Sequence, residues 1–362
     1  MYGGAERLVV RLCNFLTRKG IQNAILTVAL LSEIEKDLDS TEIIVKRVRK
    51  QRPRHITRAL IKGILEYQKR FDVLNAHNFP ANIACLFSSK PVVWMCNEPE
   101  AYILLSDPGV KLSSKNWVFY RGSFFLEKHL SKFSIKNAVV ADNFNAERFT
   151  KLFGFSPKII NYGVDFTFFS QYANNQNLKE EFSGKFVVLH SGTITKLKNQ
   201  LESIITINKI KDKIPNIRLI LIGSVLDPEY EHKIKNYIQE HNLDDYVYFR
   251  GHVNRKELRE FYYIADVLLH PIKPQGGWLT PFEILSAEKP IIVSEETPPA
   301  DIIIKEGIGT VTNNYADALL NCYNNYKMYK NMAQKGKKFV SENLRWDHYC
   351  EKMLEEFIRV AR

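Results

Sequence analysis

The strongest constraint on this chain is a repeated alternation. Short apolar runs four to seven residues long are separated by segments with helical periodicity, and the series occurs twice. Such alternation specifies parallel strands joined by crossover helices. In the first series the runs 24–30, 42–48, 72–76, 91–95, 137–141 and 157–161 read as strands, after a helix whose apolar stripe is Leu8, Val9, Leu12, Phe15 and Leu16. The second series begins at Lys185, with strands at 186–190, 217–222, 246–249, 266–270 and 290–294. Helices are predicted over 198–210, 228–241, 254–264 and 344–360, and Asn254 with Glu257 forms a capping box. A polar stretch containing Asn174, Asn175, Gln176 and Asn177 separates the two series.

The expected architecture is therefore α/β, with two Rossmann-like, doubly wound parallel-sheet domains and a cleft at the C-terminal ends of their strands. Residues 1–168 form the first domain, 169–184 a linker, 185–340 the second domain, and 341–362 a terminal helix returning to the first. A chain of 362 residues is long enough for two cores.

One segment concentrates the functional signal. Residues 275–294 read as a glycine loop, a helix start, a short helix and a buried strand. Thr280 suits an N-cap, Pro281 the first helical position, and Glu283 the third. Amides of Gly276 to Thr280 would face a ligand over the helix mouth, where a phosphate is favoured. An ordinary capping box explains the same residues without any ligand.

The net charge of +11 points to an acidic partner. Basic residues crowd 46–70: Lys46, Arg47, Arg49, Lys50, Arg52, Arg54, Arg58, Lys62, Lys69 and Arg70, with apolar residues at helical spacing among them. This segment reads equally as a helix for an anionic membrane surface or as a solvated face. No helix-turn-helix, zinc-finger or RNA-binding aromatic motif occurs, so nucleic acid is not an expected partner. No Walker loop and no Gly-x-Gly-x-x-Gly occurs. Five scattered cysteines without metal-ligand spacing imply free thiols in a reducing compartment. With no signal peptide and no apolar run of about 18 residues, the expected location is cytoplasmic, with peripheral attachment to the inner face of the membrane.

Six motifs in order resemble those of retaining, GT-B-fold glycosyltransferases of family four, also called group 1. They are Tyr2 to Arg7 (Tyr-Gly-Gly-Ala-Glu-Arg), Asn161 to Asp165 (Asn-Tyr-Gly-Val-Asp), Ser191 to Asn199, Leu221 to Ser224, Tyr248 to Val253, and Gln275 to Glu283. The resemblance covers nearly the whole chain and is strongest from Lys185 to Gly309. It implies metal-independent transfer of a hexose from a nucleotide sugar to a glycan or lipid-linked acceptor, with no cofactor. It further implies that Glu283 holds the ribose hydroxyls and Lys198 the diphosphate, from the head of a helix. Gly192, Thr193 and Gly223 would line the donor, as would the backbone of Gly277, Trp278, Leu279 and Thr280. Backbone around Arg250, Gly251, His252 and Val253 would face the base, and Gly3 and Gly4 would admit the donor from the first domain.

Four departures bear on catalysis. Gln275 stands where the family carries a first glutamate, and Thr193 where it carries an arginine, leaving Lys198 with help from Lys196. A strand that usually ends in histidine here ends Trp94-Met-Cys-Asn97-Glu98, so Asn97 would donate to the sugar; His77, after a neighbouring strand, reads as structural. The family's opening strand is absent before Gly3, so the chain reads as a shortened gene model or fragment lacking a central strand. The sole Asp-x-Asp, Asp37 to Asp39, lies in a charged stretch and reads as exposed surface rather than a metal site. Other readings are a nucleotide-sugar-binding partner subunit and an epimerase of the same fold.

Overall fold

The computed structural model describes residues 4–29, 32–50, 52–99, 102–103, 105, 113–135, 137–273 and 278–362. The chain divides into two compact units, residues 1–163 with 346–362, and residues 164–345.

The first unit holds strands β1 (Ala24–Thr27), β2 (Glu42–Val45), β3 (Leu74–His77), β4 (Val92–Met95), β5 (Asn137–Val140) and β6 (Lys158–Ile159). All pair in parallel, as two sheets of order β1-β2 and β3-β4-β5-β6. β4 is buried along its whole length, and Trp94 meets Phe149 and Phe153 edge-on at 5.2 and 5.1 Å. Such covering of both faces is what parallel strands require. β1 and β2 are only half-buried and form a sheet of their own. β1 is shorter than the apolar run suggests. The hydroxyl of Thr27 donates to Ala29 O at 2.7 Å, turning the chain out of the strand.

The basic segment forms the helix Pro53–Tyr67, with proline in its first turn. Its apolar residues are used internally. Leu60 and Ile64 are buried in the cluster with Ala76 and Trp94, and Ile56 and Ile61 pack against it. A helix Tyr326–Asn343, capped by Leu344, precedes the predicted terminal helix, which is Trp346–Ala361. The second belongs to the first unit. Its buried Glu356 accepts Lys158 Nζ at 3.0 Å and the Arg359 guanidinium.

The second unit holds one six-stranded parallel sheet, ordered β12-β11-β10-β7-β8-β9. Its strands are β7 (Phe186–Ser191), β8 (Ile217–Ile222), β9 (Val247–Gly251), β10 (Val267–His270), β11 (Ile291–Val293) and β12 (Thr310–Val311). β7 is buried throughout. The Asn-rich stretch predicted as linker contains the helix Gln176–Glu181, capped by Asn175, whose side chain accepts from Leu178 N. The helix Arg255–Ile264 carries the predicted capping box, with Asn254 and Glu257 bonded reciprocally.

Candidate functional site

From β7 the chain runs outward through β8 and β9, then returns to the other side of β7 as β10. The C-terminal ends of β7 and β10 are therefore the topological switch point, where open parallel sheets bind ligands. The loops leaving these strands carry the residues singled out above. They are tied to each other: Lys273 N donates to Leu197 O at 2.9 Å, and Asn199 Nδ2 donates to Pro271 O at 3.0 Å.

The loop after β7 is fixed from below by Gln200, fully buried, whose amide donates to Gly192 O and Thr193 O at 3.3 and 2.9 Å. Asn199 takes a left-handed conformation (φ 58°), so the helix starts at Gln200 and not at Lys198. Lys198 sits in the turn before it. Its stem crosses Gly192, where a Cβ would lie 3.5 Å from Lys198 Cγ and Cδ. Lys196 is mostly exposed, with its ammonium 3.9 Å from Asp227, so a neighbouring carboxylate already shares its charge. At the end of β7, His190 is fully buried. Its Nδ1 is 2.8 Å from Ser203 Oγ. Burial, and secondarily the charge of Lys198, pushes its pKa down to about 3, keeping the ring neutral.

The next two strand ends stack their backbones against this loop. Gly192 N donates to Ile222 O, Gly223 N to Gly251 O, and Ile194 N to Ser224 O. A Cβ on Gly223 would fall 2.0 Å from Gly192 O, so only glycine fits. Gly251 and His252 are exposed and Val253 is half-buried; His252 Nδ1 is 3.2 Å from Ser224 Oγ. The Arg250 side chain is committed elsewhere. It pairs with Glu181 and lies over the rings of Phe182 and Tyr248.

The helix after β10 spans Leu279–Ser286, with Trp278 at the cap position and no side-chain cap. The predicted capping box is not formed. Thr280 lies inside the helix, and Pro281 occupies the third position, where a missing N–H is still harmless. Trp278 packs against Phe282, one turn on, with ring centroids 4.7 Å apart and planes tilted by 47°. Glu283 is buried, and its Oε2 accepts the Tyr262 hydroxyl at 3.2 Å. Gln275, Gly277 and Gly3 lie outside the described residues. Gly4 is the first residue of the helix Gly4–Arg18.

In the first unit, Asn97 follows β4. Its N–H donates to Asn78 Oδ1 at 3.0 Å, and its Oδ1 accepts the Tyr162 hydroxyl. That acceptor role fixes the carboxamide so that Nδ2 remains as a buried donor, with no partner among the described atoms. Burial holds the Tyr162 phenol well above its usual pKa, so it stays a donor. His77 ends β3 with Nε2 2.8 Å from Asn75 Oδ1, and burial lowers its pKa to about 4. Asp39 pairs with Arg18 on the surface. Sequence reading missed Gln200, Tyr262 and Tyr162, which hold the loop, the carboxylate and the carboxamide.

Among known proteins, residues 2–168 match the model of Glycosyltransferase Family 4, and residues 173–339 that of Glycosyl transferases group 1. The uncharacterized glycosyltransferase MJ1059 of Methanocaldococcus jannaschii is 28% identical over 38% of this chain and 34% of its own length. The putative glycosyltransferase EpsD of Bacillus subtilis is 23% identical over 62% of this chain and 60% of its own. The chain thus spans less than two thirds of either relative. Among solved structures, Anabaena HepE in complex with UDP and glucose superposes with a TM-score of 0.80 at 15% identity, covering 98% of this chain and 95% of that one. WaaG, a glycosyltransferase involved in lipopolysaccharide biosynthesis, gives 0.73 at 15% identity, covering 99% and 96%. The two family matches together take in nearly the whole chain, its fold is that of GT-B glycosyltransferases, and the chain belongs to the group 1, family 4 glycosyltransferases.

Proposed function

We propose that the protein moves a hexose from a nucleoside-diphosphate sugar to a glycan or lipid-linked acceptor, with retention of anomeric configuration and without a metal. The observation that carries this reading is the convergence of Lys198, Glu283 and two glycine-backed loops at the switch point of one sheet. The HepE structures with UDP and with UDP-glucose support a uridine donor.

In this reading Glu283, oriented by Tyr262, accepts the ribose hydroxyls. Backbone near Gly251 to Val253 meets the base. Lys198 and the amides opening the helix Leu279–Ser286 neutralise the diphosphate. The anomeric carbon–phosphate oxygen bond breaks and the acceptor oxygen takes its place, its proton leaving with the diphosphate. Stabilising the departing charge is the largest task, and a lysine with a helix N-terminus suits it. Gln275 and Asn97 would hydrogen-bond sugar hydroxyls as neutral groups.

Thermal unfolding with UDP, GDP, ADP and their sugars tests the reading, with Glu283→Ala and Lys198→Ala beside wild type. A shift for one nucleotide, lost in both variants, supports it. Absence of any shift in folded protein defeats it. Because Thr193 stands in place of the family arginine, binding without donor turnover, in the presence of EDTA or of magnesium, would identify a nucleotide-sugar-binding partner subunit instead.

A further inference from the structure

The amphipathic pattern of the basic segment is exhausted by the core, so the membrane surface expected there has charge but little to insert. Lys46 is held by Glu66 at 2.6 Å and Arg70 pairs with Glu42. Arg47, Arg49, Arg52, Arg54, Arg58 and Lys62 are exposed, but of the helix's larger apolar residues only Leu65 is. A different helix of the same unit has the opposite arrangement. In Ser114–Ser134, Trp117, Val118 and Phe125 are 47%, 63% and 62% exposed. Val118 and Phe125 are two turns apart and Trp117 adjoins Val118, so the three share one face of the helix. Tyr120, Ser123 and Glu127 on the other face are buried.

Among the described residues of this helix, the exposed charges are all basic. Arg121 lies over the Trp117 ring, 4.9 Å from its centroid, and Lys115 and Lys128 are exposed. The one acid of the helix, Glu127, is buried and accepts Asn82 Nδ2 at 2.5 Å, so it does not offset them. The helix packs on Asn78–Cys85, which also touches the basic helix Pro53–Tyr67. Exposed aromatic and aliphatic groups interleaved with lysine and arginine match the boundary between acyl chains and anionic headgroups.

We propose that the outer face of Ser114–Ser134, through Trp117, Val118 and Phe125, inserts into an anionic lipid surface, with Lys115, Arg121, Lys128 and the 46–70 cations held at the headgroups. No helix among the described residues is long and apolar enough to cross a membrane, so the surface is one that lies on the bilayer. The proposal deepens the lipid-acceptor reading, and its test needs no substrate.

Trp117 gives a direct readout, because Trp94 and Trp278 are buried and Trp346 is half-buried. The full chain is mixed with vesicles of phosphatidylcholine alone or with phosphatidylglycerol. The expected result is co-sedimentation with the anionic vesicles only and a blue shift of tryptophan emission. Trp117→Phe should abolish the blue shift while leaving sedimentation nearly intact. Trp117→Ser with Phe125→Ser should weaken partitioning at least about tenfold, from the lost apolar transfer, while keeping the wild-type melting temperature. Binding that the double variant leaves unchanged, or that shows no blue shift, would overturn insertion and leave only adhesion by charge. A dimer in gel filtration that the double variant dissociates, without vesicle binding, would make the face a contact between copies. No vesicle binding, in protein that UDP still stabilises, would sink this proposal and spare the donor reading.

Discussion

Gly223 lies so close to Gly192 that a methyl group on its Cα would sit 2.0 Å from the Gly192 carbonyl oxygen. The obstacle is backbone, which cannot swing aside as a side chain can. Gly223 also takes φ of 153°, which L side chains rarely adopt. Gly223→Ala should therefore push the two loops apart. We expect a loss of about 1–3 kcal/mol in stability, the usual cost of overpacking, and of nucleotide-induced stabilisation. Denaturant unfolding with and without UDP measures both; a variant that keeps both would show that the loops give way easily.

Tyr262 and Glu283 make a graded test of the proposed ribose contact. The carboxylate is buried and takes the phenol hydroxyl on one oxygen. Hydrogen bonds to a charged group contribute about 1.5–3 kcal/mol, so Glu283→Ala should weaken UDP binding by about tenfold to a hundredfold. Glu283→Gln should lose less, and Tyr262→Phe only a few-fold, since it removes the orienting donor and leaves the charge. Calorimetric titration with UDP gives the order. Equal affinities across the series would remove Glu283 from the nucleotide site.

How far the sequence disclosed this depends on where each residue finds its partner. β7 is buried on both faces and β8 is too apart from half-buried Arg218, so both read as largely apolar runs, and β8 spans the predicted residues. The Asn254–Glu257 box was legible because all its bonds lie within one turn. The same logic failed at Thr280. Its cap signal is local, but Trp278 packs on Phe282, Glu283 is bonded to Tyr262, and the helix opens at Leu279 instead. Tyr162 and Asn97 are 65 positions apart, and no spacing rule connects them. The basic helix shows a further limit. Periodicity places an apolar stripe on Pro53–Tyr67, yet whether that stripe meets lipid or its own sheet is decided by tertiary packing.

The Tyr162–Asn97 bond fixes which end of the buried carboxamide is engaged. With Oδ1 held by the phenol, Nδ2 is left to donate. Tyr162→Phe should free the amide to rotate and present an acceptor part of the time. A hydroxyl-bearing sugar would then bind more weakly, by roughly threefold to tenfold, about the net contribution of one hydrogen bond. Free UDP should bind as to wild type. Titrations with UDP and UDP-sugar side by side separate the two; equal losses for both ligands would mean a structural role only.

His190 makes a pH signature. Its folded pKa of about 3 lies below the ordinary 6.5, because burial disfavours the charged ring and Lys198 repels it. The unfolded chain therefore binds one more proton than the folded chain between those two values. Stability contributed by keeping this ring neutral is complete above pH 6.5. It falls as pH drops towards 3, with a slope near 1.4 kcal/mol per pH unit once well below 6.5. His77, lowered to about 4 by burial, adds a slope of the same sign over part of that range. His190→Asn keeps a polar atom within reach of Ser203 but removes the titration. Its unfolding free energy, measured by denaturant from pH 7 to pH 4.5, should fall less steeply than that of wild type. Parallel curves for the two proteins would mean that the His190 ring takes up a proton in the folded state, and the neutral imidazole beneath the Lys198 loop would have to be abandoned.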